Sequence, residues 1–149
     1  MKAVIQRVLG AKLSANGDQH ASISSGLVVY VGIEQSDTEA DAIAFSKKLV
    51  AMRIFADEAG KMNLSVSDID GDILLVSNFT LCADISHGHR PSFTGAMRPP
   101  IAASALFDYC CDVVTDLMRG KSGNVMRGVF GADMQINQIN DGPVTIIYE

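Results

Sequence analysis

Two β-rich runs flank a turn-forming tetrapeptide in residues 135–148, which read QINQINDGPVTIIY. The tetrapeptide is Asn140-Asp141-Gly142-Pro143, and each of these four residue types favours a turn for its own physical reason. Pro143 fixes its own φ angle and has no N–H to donate, while Gly142 has no side chain to cover its backbone. The sequence therefore predicts a stiff hairpin turn that exposes bare carbonyl and amide groups. Such a turn either connects two strands and nothing more, or recognises a small ligand through its backbone.

The rest of the chain reads as groups of strands separated by two helices. The apolar run at residues 27–33 is typical of a central strand buried on both faces, and residues 73–81 give a second such signal that ends in polar residues. Ser36 and Glu39 predict a capping box for a first helix that ends near Met52. The predicted strands are residues 3–9, 12–15, 19–23, 27–33, 53–55, 73–81, 124–129, 134–139 and 144–148.

A second helix follows Pro99 and Pro100 and extends from Ile101 to about Arg119. Its predicted core stripe consists of Leu106, Cys110, Val113 and Leu117. The order of strands, helix, strands, helix, strands predicts an α+β fold, a mainly β sheet or barrel with two helices. The length fits a single domain of residues 1–149.

Composition and charge exclude several classes of protein. A net charge of −5 argues against a protein that wraps a long stretch of DNA, which needs many phosphate contacts. It does not exclude a protein that binds only the end of an RNA. The longest apolar runs are too short to cross a bilayer, and the start of the chain does not have a signal-peptide layout, so we expect a cytoplasmic protein. The three cysteines have no zinc spacing, which predicts no metal site.

No standard catalytic set of side chains is visible. Ser77 and Thr80 either cap the polar end of their strand or supply hydroxyls for chemistry, and no GxSxG motif surrounds Ser77. His87 and His89 lie in a glycine-containing loop without a visible partner and are predicted to be solvated. Arg7, in an apolar strand, is either exposed at an edge or braces a neighbouring loop. Any chemistry would then rest on backbone groups and on the substrate.

Two long motifs, SNFTL at residues 77–81 and NDGPVT at residues 140–145, resemble the D-aminoacyl-tRNA deacylase family. Four further segments fit the same family in the same order: MKAVIQRV at 1–8, GKMNLS at 60–65, GHRPSF at 88–93 and FGADM at 130–134. The resemblance therefore extends over the whole chain. One position departs from the family, which has glutamine where this chain has Asn78; the shorter side chain shifts its hydrogen bond or passes it through water.

The resemblance implies a mainly antiparallel, barrel-like α+β fold and a homodimer. It implies an enzyme that cleaves the ester between a D-amino acid and the 3′-terminal adenosine of tRNA, and that also removes misplaced glycine, without a cofactor or metal. Gly142 and Pro143 would be joined by a cis peptide bond and reach into the partner's pocket. Their carbonyls would hold the substrate so that an L side chain collides with the loop.

The resemblance also implies roles for other residues. Residues 77–80 (Ser77, Asn78, Phe79 and Thr80) would line the adenosine pocket, with Phe79 and Phe130 as apolar walls, and Arg7 would support the proline loop. Thr80 has been considered a nucleophile in the family, while the better-supported mechanism uses the 2′-OH of the terminal ribose and a water aligned by the site.

The implied partner is the tRNA acceptor end, with no membrane and no DNA. Basic residues that either contact phosphates or are solvated charges are Arg90, Arg98, Arg119, Lys121 and Arg127. Two alternatives remain: a nucleic-acid-binding module without catalysis, and an esterase acting on small molecules.

Overall fold

The computed structural model describes residues 1–149 as eight strands and two helices. The strands are β1 Lys2–Ala15, β2 Asp18–Ile23, β3 Gly26–Gly32, β4 Arg53–Ala56, β5 Met62–Ser65, β6 Asp72–Ser77, β7 Val125–Arg127 and β8 Met134–Tyr148. The helices are α1 Glu39–Ala51 and α2 Pro100–Leu117, and a 3-10 turn covers Phe79–Cys82. No helix is both long and apolar enough to span a membrane.

The main sheet is mixed, whereas a mainly antiparallel sheet was expected. Its order is β2-β1-β3-β6-β7, and β8 pairs with β1. The pairs β1–β2, β1–β3 and β1–β8 are antiparallel, but β3–β6 and β6–β7 are parallel. The reason lies in the connections: α1 lies between β3 and β6, and α2 lies between β6 and β7. Each crossover returns the chain to the same end of the sheet, which makes the next strand parallel.

Buried side chains lie on both faces of this sheet, which curls into a nearly closed, barrel-like shape. In β3, Leu27, Val29 and Val31 belong to the larger cluster between the sheet and the helices. Val28, on the opposite face, belongs to a smaller cluster with residues of β1, β2 and β6. The continuous apolar run at 27–33 therefore forms the doubly buried strand that it predicted.

The predicted hairpin turn at residues 140–143 is wrong. β8 is a single strand whose two halves both pair with β1, and it protrudes between them. Gln6 pairs with Thr145 and Val8 pairs with Asn140, so Arg7 alone stands opposite residues 141–144. We call residues 141–144 the β8 bulge. The turn-forming residues 140–143 do interrupt the regular pairing of β8. Because both halves of β8 pair with the long strand β1, the chain continues in the same direction after the interruption.

Three element boundaries also differ from the prediction. The predicted strands 3–9 and 12–15 form one strand, β1, while the strand predicted at 73–81 ends at Ser77. The N-cap of α1 is Thr38, whose backbone N–H donates to Asp41 Oδ2 over 2.9 Å. Asp37 accepts instead from the backbone N–H of Glu34, which holds residues 34–37 in a turn before the helix begins.

The predicted stripe of α2 is only partly right. Leu106 and Cys110 are buried, but Val113 is half-buried and Leu117 is exposed. The buried positions of the helix are Ala103, Leu106, Phe107, Cys110, Cys111 and Val114. The helix is therefore rotated relative to the prediction, and it presents a broader apolar face to the sheet.

Candidate active site

A cavity of about 840 Å³ opens where β3 and β6 end side by side. The carboxyl ends of neighbouring parallel strands commonly form such a crevice, because the chain leaves the sheet there in different directions. Its size lies within the range of small-ligand sites, roughly 300–1,000 Å³. The lining residues are Val31, Ile33, Ser77, Asn78, Phe79, Phe93, Ala96, Met97, Arg98, Pro99, Pro100, Ala103, Phe130 and Gly131.

Ser77 and Asn78 supply the uncharged polar groups of the cavity. The backbone N–H of Asn78 donates to Val31 O over 2.8 Å and closes the sheet at the end of β6. Its carboxamide oxygen accepts from the Thr80 hydroxyl over 2.5 Å. The carboxamide nitrogen of Asn78 and the hydroxyl of Ser77 have no hydrogen-bond partner in the protein, so both are available to a ligand.

Aromatic rings form two walls of the cavity. Phe79 is 58% exposed and packs edge-on against Phe93, with ring centroids 5.2 Å apart. Phe130 approaches from the turn after β7 and rests on Phe107, at 6.4 Å between centroids. The structure thus brings Phe79 and Phe130 into one cavity, and their role as walls of an adenosine pocket stays a prediction.

Thr80 was expected in the lining of the pocket, but it lies beside the cavity, because the chain leaves the strand after Ser77 and turns at residues 79–82. Its side chain is exposed in the 3-10 turn, and its hydroxyl is engaged with Asn78. No histidine hydrogen-bonds to this hydroxyl; His87 contacts Ser86 in the exposed loop, with Nδ1 and Oγ 2.7 Å apart. The Thr80 hydroxyl therefore has a carboxamide oxygen as its hydrogen-bond partner, and this oxygen is too weak a base to activate a nucleophile.

The loop after the 3-10 turn supplies Phe93 and Met97, which the sequence did not identify as site residues, and Arg98, which was a candidate phosphate contact. A β-bridge between Glu34 and Ala96 holds the end of this loop, and the backbone N–H of Met97 donates to Ile33 O over 2.9 Å. These contacts place Phe93, Met97 and Arg98 on the cavity. The segment GHRPSF signalled the loop, but its position depends on pairing with residues far away in the sequence.

The β8 bulge and Arg7 form a second group of residues, none of which lines the cavity. Gly142 and Pro143 are exposed, and the peptide bond between them is cis. Arg7 Nη1 donates to Ile54 O over 2.6 Å, and Arg7 Nε lies 3.0 Å from Asp141 Oδ2. Because Nε makes no hydrogen bond by geometry, this last contact is an ion pair only. Arg7 therefore fastens the base of the bulge to β4, and the loop-bracing role is the one that its contacts favour.

Two of the three cysteines lie elsewhere, in the core. Cys110 and Cys111 are fully buried on α2, and burial raises the pKa of both thiols above the ordinary value. No group of three or more histidine, cysteine, aspartate or glutamate side chains is close enough together to hold a metal ion.

Comparison with known proteins gives similarity over the whole chain. The family model described as D-Tyr-tRNA(Tyr) deacylase matches residues 4–149. The chain is 49% identical to the D-aminoacyl-tRNA deacylase of Chlorobaculum parvum, covering all of this chain and 97% of that protein. It is 46% identical to the D-aminoacyl-tRNA deacylase of Pseudomonas fluorescens, covering 100% and 99%.

Two solved structures have the same fold. One, named c-Myc DNA Unwinding Element Binding Protein, superposes with a TM-score of 0.92 at 37% identity and covers 100% of this chain and 98% of its own. The other, described as a probable eukaryotic D-amino acid tRNA deacylase, has a TM-score of 0.87 at 18% identity, with 99% and 97% covered. The second likeness concerns the fold alone.

Proposed function

The chain belongs to the D-Tyr-tRNA(Tyr) deacylase family, and we infer that it is a D-aminoacyl-tRNA deacylase, an ester hydrolase acting on charged tRNA in the cytoplasm. The observation that carries this function is the assembly of Ser77, Asn78, Phe79 and Phe130 around one cavity. The enzyme releases a free D-amino acid and tRNA, and the chemistry proposed below uses no cofactor.

The aromatic walls suit the terminal adenosine of the acceptor end. Stacking of a base on an aromatic side chain contributes about 1–3 kcal/mol, and it requires an exposed ring face or edge. Phe79 offers such a ring, and Phe130 stands at the other side of the same cavity. We propose that the free carboxamide nitrogen of Asn78 and the Ser77 hydroxyl hydrogen-bond the nucleoside or the ester.

We propose that the substrate supplies the proton transfer. Water adds to the ester carbonyl carbon, the bond to the 3′ oxygen breaks, and the 2′-OH passes a proton from the water to that oxygen. This route is favoured because Thr80 has no base beside it and its hydroxyl is held by Asn78. The protein then contributes position and hydrogen bonds, which act by orienting the reacting groups.

The chiral selection is proposed to come from the β8 bulge of a second protomer. In one protomer the exposed Gly142 and Pro143 lie apart from the cavity lining, which suits a segment that completes the site of its twin. Main-chain carbonyls of the bulge would hold the substrate amino group and collide with an L side chain. A D side chain points away, and glycine has none, so glycyl-tRNA is proposed as a second substrate.

A paired deacylation assay tests the activity and its stereochemistry together. We expect release of D-tyrosine from D-Tyr-tRNA, release of glycine from Gly-tRNA, and intact L-Tyr-tRNA at the same enzyme concentration. Equal hydrolysis of the D and L substrates would contradict selection by the bulge.

Mixed dimers test whether the site is shared between protomers. Phe79→Ala damages the cavity, and Gly142→Ala displaces the bulge, since an added Cβ would lie 2.9 Å from Val144 N at a φ of 122°. In dimers assembled from both variants, one site receives both lesions and the other receives none. Half of the dimers are mixed, so we expect about one quarter of wild-type activity.

The matched control combines Phe79→Ala with Phe130→Ala. Both of these lesions lie in the cavity, so every site of every dimer stays damaged and no activity returns. Recovery in this control, or no recovery in the first mixture, would contradict a site shared between protomers.

A nucleic-acid-binding module without catalysis is the second candidate. The name of the solved relative at 37% identity favours it, because that protein is described as binding a DNA element. The net charge of −5 argues against extensive DNA contacts. Turnover of D-Tyr-tRNA separates the two functions, and failure to cleave a free D-amino acid ester separates the tRNA editor from a small-molecule esterase.

A further inference from the structure

One formal charge lines the cavity, and Arg98 carries it. Every other lining residue is uncharged, and no aspartate or glutamate is among them. The Arg98 guanidinium makes no hydrogen bond or ion pair, while the protein as a whole carries a net charge of −5. A lone cation beside a largely apolar cavity creates a local attraction for anions that the rest of the surface opposes.

The backbone of Arg98 is held firmly although its side chain is free. Its N–H donates to Gln35 Oε1 over 3.0 Å, and its carbonyl oxygen accepts from Gln35 Nε2 over 3.5 Å. The neighbouring Met97 is fixed to Ile33, as described above. The Cα of Arg98 is therefore fixed at the edge of the cavity while its guanidinium is free to rotate. The length of the side chain then limits the positions that a bound anion can occupy.

The other basic candidates lack this placement. Arg119 pairs with Asp116 over 2.6 Å, and Arg127 pairs with Asp112 over 2.6 Å and with Asp108 over 3.3 Å. A cation that is already neutralised by a carboxylate gains less from a phosphate. Arg90 and Lys121 are exposed, but neither lines the cavity. Among the five, Arg98 alone combines a free guanidinium with a position on the cavity.

We propose that Arg98 binds the phosphate on the 5′ side of the terminal adenosine of the acceptor end, and so positions the ester in the cavity. This inference rests on the proposed function, because it takes the terminal nucleoside as the occupant. When that nucleoside fills the cavity, its 5′ phosphate must lie at the edge, where the chain of RNA leaves. An arginine fork matches two phosphate oxygens at once, which a lysine does not.

Ligands that differ by one phosphate test this role without requiring turnover. The affinities of adenosine 5′-monophosphate and of adenosine are measured by calorimetry for the wild type and for Arg98→Gln. We expect the wild type to bind the monophosphate roughly tenfold more tightly than adenosine, and Arg98→Gln to remove that preference. Adenosine should bind both proteins equally, and the salt slope for the monophosphate should fall by about one.

Arg119→Gln is the matched control, since it removes the same charge from a paired arginine outside the cavity. It should leave both affinities unchanged, and Arg98→Lys should keep part of the preference. Equal weakening of both ligands by Arg98→Gln, or no weakening of either, overturns the proposal.

Deacylation measurements distinguish failure of this inference from failure of the proposed function. With D-Tyr-tRNA, Arg98→Gln should raise KM and change kcat little. A wild type that binds adenosine 5′-monophosphate more tightly than adenosine through Arg98 but does not hydrolyse D-Tyr-tRNA would support the phosphate site and contradict the deacylase. An Arg98→Gln defect confined to substrates with an acidic amino acid would overturn the phosphate role.

Discussion

Among individual residues, Thr80 and Asn78 are coupled by a hydrogen bond between their side chains. The hydroxyl of Thr80 donates to the carboxamide oxygen of Asn78, which turns the carboxamide nitrogen away from Thr80. A threonine that donates its proton to an amide oxygen and faces no base is a poor nucleophile. The contact is better suited to holding Asn78, which is one methylene shorter than the glutamine of the family.

We therefore predict that Thr80→Ala keeps most of its deacylase activity. Loss of one hydrogen bond between neutral groups costs about 1 kcal/mol, so the rate should fall by less than about tenfold. Single-turnover deacylation of D-Tyr-tRNA measures the effect, and Thr80→Ser, which keeps the hydroxyl, is the matched control. A fall to the uncatalysed rate for Thr80→Ala would instead make this side chain part of the chemistry.

Among the contacts between secondary-structure elements, the critical one is the parallel pairing of β3 with β6. Gly26 pairs with Asp72 at the start of both strands, where the backbones come unusually close. A Cβ added to Gly26 would lie 1.9 Å from the carbonyl oxygen of Asp72. Backbone atoms cannot move aside as a flexible side chain can, so no side chain larger than hydrogen fits here.

Gly26→Ala is predicted to destabilise the fold by more than about 3 kcal/mol, because the two strands must separate to admit the methyl group. Urea unfolding measures this loss, or the variant fails to accumulate as a folded protein. Gly95→Ala is the matched control, since its added Cβ would make only an ordinary contact of 3.5 Å with Cys82 O. Similar stabilities for the two variants would contradict the close approach of β3 and β6.

Sequence patterns located most elements because those patterns are local. The apolar run at 27–33 indicates its strand by continuous apolar side chains, and Asn16-Gly17, between the predicted strands 12–15 and 19–23, indicates a turn by its φ preference. The parallel pairs and the shape of the β8 bulge were missed, because both depend on which distant strand becomes the neighbour. Turn-forming residues at 140–143 specify a local departure and do not specify where the chain goes next.

The residues of the site also divide into those that the sequence indicated and those that it did not. Residues Ser77, Asn78, Phe79 and Phe130 were expected together through the family resemblance, and the structure assembles them. The positions of Phe93 and Met97 on the cavity were not expected, and Arg98 was expected only as a candidate phosphate contact, since a loop has no periodicity to reveal its position. The bridge between Glu34 and Ala96 decides that position, and only coordinates reveal the bridge.

In the molecule as a whole, the Met1 ammonium links the first strand to the turn before α1 through two ion pairs. The Met1 ammonium contacts Glu34 Oε2 at 2.8 Å and Asp37 Oδ1 at 2.5 Å. Burial alone would lower the pKa of this ammonium, but the hydrogen bonds and charges of Asp37 and Glu34 outweigh burial and raise it above 8.0. The charged form is therefore favoured more in the folded than in the unfolded chain.

Linkage gives the sign of the resulting pH dependence. Because the folded pKa lies above the unfolded value, this stabilisation is fully present below about pH 8 and is lost as pH rises through the folded pKa. We predict that the difference in unfolding free energy between the wild type and Asp37→Asn shrinks between pH 7 and pH 10. Urea unfolding of both proteins measures it, and the raised pKa values of the cysteines cancel in the difference. A difference that stays constant over this range would contradict the ion pair.

The β8 bulge is held on both sides by pairing with β1, Val8 with Asn140 and Gln6 with Thr145. A strand that slips by one residue moves its whole apolar set to the wrong face. Here each half of β8 has its own pairs with β1, which fix its register on that side of the bulge. Insertions or deletions within residues 141–143 would therefore change how far the segment projects and leave the barrel undisturbed. Evolution can adjust the reach of this segment by altering its length, separately from the scaffold that carries it.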